Sequence, residues 1–455
     1  MQRFIGVVAA AMLVSMNGVS AADEIGDGAT EVMAPLDVSA LLLAARGAPP
    51  VICALAAQAV RNYGWGDWND APYSPLATVA TVRSRDGGNG QFPAVDVDRL
   101  LDALASTDGC VRELSVRLLG GQRGERVATG LVARLASADA PLREVAAMGL
   151  GLTAPTSAID PLIKALGDAM PTVRANAAWA LGRIDNGRAL APVVVLFRDD
   201  DAKVREAAVI AAGRIDSTSS IAALMRVLQQ DESPSVRRVA AWALGQKGAR
   251  EALPVLATAL GKEGDARVRE MIAWAIGNSE GRSASAALVT ALGRDADDTV
   301  RETAAWALAE IGDRAAVDAL GAAAEGDHSA RVRGTASWAI GQLHGNGGTA
   351  PSGLLKVLKD ENDDSRLKAA WALGQIGDAK ALNAIKDALR VETSNQVRKG
   401  LVRALIKSGG RSEETLTELL TSSDATVREA AVRGLAGNGS FNPWPWPWPR
   451  PRPFP

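Results

Sequence analysis

Thr299–Ile311 reads TVRETAAWALAEI, and close versions of it return along the chain. TVRANAAWALGRI spans Thr172–Ile184, SVRRVAAWALGQK spans Ser235–Lys247, RVREMIAWAIGNS spans Arg267–Ser279, and RVRGTASWAIGQL spans Arg331–Leu343. The shared arginines are Arg174, Arg237, Arg269, Arg301 and Arg333, and weaker copies place Arg112, Arg143, Arg205, Arg366, Arg398 and Arg428 at the same point. Successive copies stand 30 to 33 residues apart, so about eleven units follow one another. Each unit holds two helical patterns, as in Val300–Gly312 and Arg314–Ala324. Neither helix can cover its apolar stripe alone, and stacking on the next pair does so. An earlier degenerate unit, Ser39–Asn62, reads as a capping pair of helices.

The composition agrees with close-packed helices. Hydrophobic residues make up 47% of the 455 residues but aromatics only 4%, so the apolar content is mostly Ala, Leu and Val. Lys+Arg is 50 against 52 Asp+Glu, which leaves no basic excess for a nucleic-acid partner. The pattern D-x-x-x-x-V-R-x-x-A-A-W-A-L-G-x-I-G-D resembles the HEAT repeat, in particular the short variety found in phycobilisome lyases. It covers roughly residues 95–440 and implies an all-α, α-α superhelical solenoid. The resemblance further implies an Asp–Arg ladder between neighbouring repeats, here with Arg174, Arg205, Arg237, Arg269, Arg301 and Arg333 as structural residues. The acidic member wanders: Asp139, Asp201, Asp265 and Asp297 lie three residues before the valine position, Asp168, Asp231, Asp327 and Asp360 lie five before it.

Six repeats carry a tryptophan five residues after the arginine: Trp179, Trp242, Trp274, Trp306, Trp338 and Trp371. On a helical wheel the valine and the core positions fall within about 80° of each other, and the tryptophan falls at about 240°, on the flank. In HEAT arrays the tryptophan-bearing helix lines the concave side. The row therefore has two readings: an aromatic groove for a peptide or glycan, or a set of rings packed over small residues of the next repeat. Gly182, Gly245, Gly277, Gly341 and Gly374 leave room beside it, and Glu270 and Glu302 share the face of Trp274 and Trp306.

Both ends differ from the repeats. Arg3, the apolar run Phe4–Val14 and Val19-Ser20-Ala21 form a secretory-signal pattern over residues 1–21, so export to a periplasmic or extracellular space is expected. Residues 22–94 hold the capping helices and an irregular insertion, Tyr63–Pro93, with Trp65 and Trp68 as candidate binding residues. Cys53 and Cys110 either form a disulfide or are two buried helix cysteines. Residues 441–455 read FNPWPWPWPRPRPFP, an extended proline-rich tail that offers Trp444, Trp446 and Trp448 beside two arginines. It resembles Trp/Pro-rich antimicrobial peptides in composition and suits contact with a membrane or cell wall.

Catalytic signatures are lacking. The two histidines, His328 and His344, are not followed by Glu, whereas the HEAT-like deoxyhypusine hydroxylases need repeated His-Glu pairs to hold iron. No phosphate-cradling loop and no G-x-S-x-G occur. A cofactor and a metal are not expected. The expected function is a non-enzymatic, protein-binding scaffold of the envelope or secreted space that uses the concave face. The alternative is an envelope-contacting protein acting through its tail, and a HEAT-like lyase or hydroxylase is a remote third.

Overall fold

The computed structural model describes residues 37–59, 91–122, 124–344, 348–409 and 413–435. Among the described residues there are twenty-four α-helices and no strand. The chain divides into two units at Ser220 and Ile221. The first unit opens with two helices, Val38–Ala45 and Pro50–Ala59, and continues with four helix pairs that end at Arg214. The second holds seven pairs, from Ile221–Gln230 to Ala425–Leu435. In every pair the second helix carries the repeated arginine, and it is called here the arginine helix; the other is its companion.

One repeat shows why the chain folds this way. The Asp297 carboxylate caps the helix Asp298–Glu310 by accepting from the Thr299 and Val300 amides at 2.9 and 3.4 Å. The helix ends at Gly312, whose φ of 68° is the left-handed conformation that glycine adopts without strain. There the Asp313 amide donates back to the Leu308 carbonyl. Asp313 then accepts from the Ala315 amide at 3.0 Å and starts a short 3-10 turn, Arg314–Ala316, which runs into the companion helix Val317–Gly326. Val300, Ala304, Ala307, Leu308 and Leu320 are buried between these helices and their neighbours. Each fully covered Leu or Val contributes about 1.5–3 kcal/mol.

Arginine helices of adjacent repeats approach closely because their contact faces are Ala and Gly. A methyl group at Gly341 would lie 2.8 Å from the Ala372 Cα and 2.7 Å from Cζ3 of Trp371. At Gly245 it would lie 2.9 Å from the Ala275 Cα and 2.6 Å from Cζ3 of Trp274. The glycine thus leaves its room to the indole of the following repeat. Trp179, Trp242, Trp274, Trp306 and Trp338 are 1–8% exposed, and only Trp371 is half-buried. Of the two readings of the row, the packed one matches this geometry, with the rings lying over small residues of the preceding repeat and not of the next. The wheel angle describes one isolated helix, whereas the preceding repeat covers the flank as well. The Nε1 atoms of Trp179 and Trp306 are buried without a hydrogen-bond acceptor, so packing holds these rings.

In the first unit, a disulfide joins Cys53 of the second capping helix to Cys110 at the head of the first arginine helix, 57 residues on. Beside it the Asp108 carboxylate accepts from the Gly47 amide at 2.7 Å while capping the Gly109–Gly120 helix. The cap is therefore tied to the array by one covalent and one polar link, with Val38, Leu42, Cys53 and Ala57 buried beneath it.

Candidate functional site

The arginines resolve the wandering acidic residue into two separate columns. Arg301 donates Nε and Nη2 to the Asp327 carboxylate of the following repeat at 2.7 and 2.9 Å, and its Nη1 donates to the carbonyls of Asp295 and Ala296 in its own turn. The same geometry joins Arg143 to Asp168 and Arg174 to Asp199 in the first unit. In the second unit it joins Arg237 to Glu263, Arg269 to Asp295, Arg333 to Asp360 and Arg366 to Glu392. All these acceptors stand five residues before the valine position. Asp201, Asp265 and Asp297, three before it, are helix N-caps. Asp139 also holds the N-cap place, but its side chain makes no capping bond.

The five-before residue does two jobs. Its carboxylate also accepts the amide of the cap residue, as Asp295 does from Asp297 at 3.0 Å. Its carbonyl meanwhile holds the next arginine. In the second unit the links therefore run unbroken from Arg237 to Arg398, which reaches Asp424 at 3.0 Å. Arg205 donates to the carbonyls of Asp199 and Asp200. Where serine replaces the acid, as at Ser137, only the amide is capped. Arg143 at its side-chain hydrogen bond, together with the Met170 amide, holds the Asp168 carboxyl below the ordinary range. Arg237 does the same to Glu263.

A second set of arginines was not read from the sequence. Arg282 donates to the Ile311 carbonyl at 3.2 Å and Arg314 to the Leu343 carbonyl at 3.0 Å. Each thus places a cation on the C-terminal carbonyls of the next arginine helix, where the helix dipole favours it. A column of Arg250, Arg282 and Arg314, fourteen residues past the valine, was the available signal. These ladders give the arginines of both columns a structural role.

Much of what stays exposed on the arginine helices is polar, with Val432 an apolar exception on the last of them. Ten residues past the valine stand exposed Gln246, Asn278, Glu310 and Gln342 and half-buried Gln375 in the second unit, and half-buried Arg183 and Arg214 in the first. Asn278 donates Nδ2 to the Gly245 carbonyl at 2.8 Å, and Arg183 donates Nε to the Gly151 carbonyl at 2.7 Å. Two residues past the valine stand Arg238, Glu270 and Glu302, all half-buried. Burial pushes the Glu270 carboxyl up, with Asp297 and Glu302 adding to it. Burial also pushes up Glu302, against the pull of Arg331 and Lys368, and Glu310.

Of the candidate aromatic residues, five indoles of the repeat row are interior and Trp371 borders the exposed face. Trp65, Trp68, Trp444, Trp446 and Trp448 lie outside the described residues, as do residues 1–21. Among the described residues no group of three or more His, Cys, Asp or Glu could hold a metal ion, and no helix is long and apolar enough to cross a membrane. Clefts of about 670 Å³ and 600 Å³ are lined by charged side chains already paired, Arg126 with Asp98 and Arg134 with Asp102 in one, Arg282 and Arg314 with carbonyls in the other.

The family model for HEAT repeats matches residues 128–212, 191–277, 221–309, 285–352 and 351–436. The chain belongs to the HEAT-repeat family. No curated protein sequence matches this HEAT-repeat chain. Among solved structures it resembles importin-β in an ammonium sulfate condition, with a TM-score of 0.58 at 14% identity, over 88% of this chain and 64% of that one. It resembles the Kap95:Nup1 complex with a TM-score of 0.51 at 15% identity, over 75% of this chain and 57% of that one. Human deoxyhypusine hydroxylase in complex with glycerol matches at 25% identity over 55% of this chain and 96% of that one, with a TM-score of 0.26. The HEAT-repeat chain thus spans under two thirds of the importin-β and Kap95 chains it matches.

Proposed function

We propose that this HEAT-repeat protein is a non-enzymatic scaffold that binds a protein partner along the face of its arginine helices. The observation that carries the reading is the division of labour within each repeat. Paired arginines, glycines and indoles fix the frame, and in the second unit the exposed column beside them varies from repeat to repeat: Gln246, Asn278, Glu310, Gln342. A rigid frame with variable polar positions is what a selective docking surface needs. Half-buried Glu270 and Glu302 fit the same reading, because dehydrated carboxylates gain most from a partner's donors. The Kap95:Nup1 complex, of the same fold, holds a second protein. The repeat pattern supports kinship with the phycobilisome-lyase variety.

Export to an oxidising compartment belongs to the same proposal. The Cys53–Cys110 disulfide and the leader pattern of residues 1–21 support it. Cell fractionation with thiol alkylation tests it: unalkylated cysteines in an exported fraction are expected, and two alkylated cysteines in the cytoplasmic fraction contradict it.

Affinity capture tests the docking face with three forms: the whole chain, a form ending at Ser440, and Glu270→Lys/Glu302→Lys. A partner retained by the shortened form and lost by the charge reversal supports the scaffold. Loss of every partner with the tail alone transfers the function to Trp444, Trp446 and Trp448 and to a membrane or cell-wall contact.

A further inference from the structure

The last helix pair lacks the cover that the pairs before it receive. Five residues past the valine position, the arginine helices of the second unit turn a side chain toward the pair that follows, and Ala241, Ala273, Ala305, Ala370 and Val402 are 0% exposed there. A methyl group on Gly400 would lie 3.6 Å from the Ala370 Cβ, which fixes the direction. In the last arginine helix, Ala425–Leu435, this position is Val432, and it is 56% exposed. Valine itself is not the cause, since Val402 is covered. Leu420, at the end of the companion helix Glu413–Leu420, is 41% exposed. Arg428 donates to the Ser422 carbonyl of its own turn, and residues 436–455 contain no Asp or Glu to receive it as Asp424 receives Arg398. A repeat array needs a polar outer face on its end repeat, and here that face offers valine and leucine.

Directly beyond this face the sequence runs through 436–440, AGNGS, into 441–455, FNPWPWPWPRPRPFP. The two glycines let the chain turn back. Fifteen residues of polyproline chain reach about 45 Å, and the eleven-residue helix is about 16 Å long. With three residues per turn, indoles at alternate residues point about 120° apart, so one of the three faces the helix at any roll. Within the array an arginine helix receives an indole of the following pair, as Gly245 receives Trp274. No further pair follows the last helix in 436–455, and the segment brings Trp444, Trp446 and Trp448 instead. The charges are complementary as well. The segment carries Arg450 and Arg452 and no acid, and exposed Glu413 and Glu414 start the companion helix. Proline-rich chain also loses little entropy on docking.

We propose that residues 441–455 dock on the outer face of the last helix pair, with their indoles over Val432, and serve the array as its end cover. Docked there, the segment keeps the apolar face from stacking on a second copy of the chain. The surface is separate from the column proposed for a partner, so either assignment can fail alone.

The test adds the synthetic peptide FNPWPWPWPRPRPFP to the whole chain carrying Trp444→Ser/Trp446→Ser/Trp448→Ser, followed by calorimetry. These substitutions lie outside the helices and disarm the chain's own segment. A short flexible tether supplies an effective concentration in the millimolar range, so a free peptide that saturates below about 1 mM is docked when attached. Saturation below that concentration is expected, at least tenfold weaker when Val432→Glu is added and unchanged when Val391→Glu is added. The unsubstituted chain, its face already occupied, is expected to bind the peptide at least tenfold more weakly than the Ser variant. Thermal melting confirms that the Glu variants fold. No saturation at about 1 mM, equal loss in Val391→Glu, or equal binding by the unsubstituted chain overturns the proposal. Dimerisation of the Ser variant through Val432 without peptide binding also overturns it and gives the face to a second copy. Phosphatidylglycerol vesicles bound by the unsubstituted chain as tightly as by the free peptide overturn it too, and give the segment to a membrane.

Discussion

Arg301 and Asp327 face each other across two repeats with paired bonds of 2.7 and 2.9 Å, both side chains mostly withdrawn from water. Because Asp327 also caps the Ser329 amide at 2.8 Å and its carbonyl holds Arg333, one carboxylate fixes the start of one repeat to the middle of another. Removing one partner of such a pair strands a dehydrated charge. Arg301→Ala is expected to destabilise the second unit by about 3–5 kcal/mol. Arg428→Ala, at the end of the array, loses the bond to the Ser422 carbonyl and is expected to cost about 1 kcal/mol. Urea melts of both variants check this, and equal small effects contradict it.

The acidic columns also set the response to pH. Asp168 and Glu263 are held below the ordinary carboxylate range, by Arg143 and Arg237 first of all. For Asp327, burial alone would raise the carboxyl, but the Arg301 bond and the Ser329 amide outweigh it. A depressed carboxylate stabilises the fold above its unfolded pKa, and that stability disappears as pH falls through the folded value. The melting temperature is therefore expected to hold as pH falls toward about 4 and to drop steeply below that. Glu270, Glu302 and Glu310 act oppositely, since raised carboxyls favour the fold at lower pH. Their removal as a triple Gln variant is expected to raise stability at neutral pH, and calorimetry between pH 3 and pH 7, ranges chosen about the carboxylate values, measures both effects.

Gly245 sits where the Trp274 ring and the Ala275 backbone leave no room for a methyl group. Gly245→Ala is expected to cost about 1–3 kcal/mol through overpacking. Trp274→Leu on that background is expected to recover part of the loss, because it frees the same space. A double-mutant cycle measures the coupling, and simple additivity contradicts the contact.

The ladder lacks its first rung because Ser137 holds the acidic column, while Arg112 is already placed on the Ser106 carbonyl at 2.8 Å. Ser137→Asp is expected to complete the pair and stabilise the first unit by about 1 kcal/mol. A gain in urea midpoint that vanishes in Arg112→Ala checks the assignment.

The fold was legible in the sequence because its signal is repeated. Val300, Arg301, Ala304, Trp306 and Leu308 recur at one spacing, and each copy reinforces the helix assignment. The ladder was legible only in part. Asp201 and Asp327 look alike in sequence, and only the structure shows that one caps a helix and the other receives an arginine. Asp199 and Asp295 receive arginines from the same column though the sequence reading did not assign them, and Glu263 and Glu392 fill it equally well with the longer carboxylate. The choice between the two readings of the indoles was not legible for a different reason. Burial of Trp274 depends on the Gly245 surface of the preceding repeat, which a single helical wheel does not contain. The docking columns carry no sequence signature, since variation from repeat to repeat is what defines them.

The most direct test of the scaffold reading is a photocrosslinking map. A photoreactive amino acid is placed in turn at Gln246, Gln342 and Gln375 on the arginine helices, and at exposed Val195 and Val391 on companion helices. Each form is illuminated in the cell that makes it. The account predicts one polypeptide crosslinked from the arginine-helix positions and none from Val195 or Val391; crosslinks from the companion helices alone would contradict it.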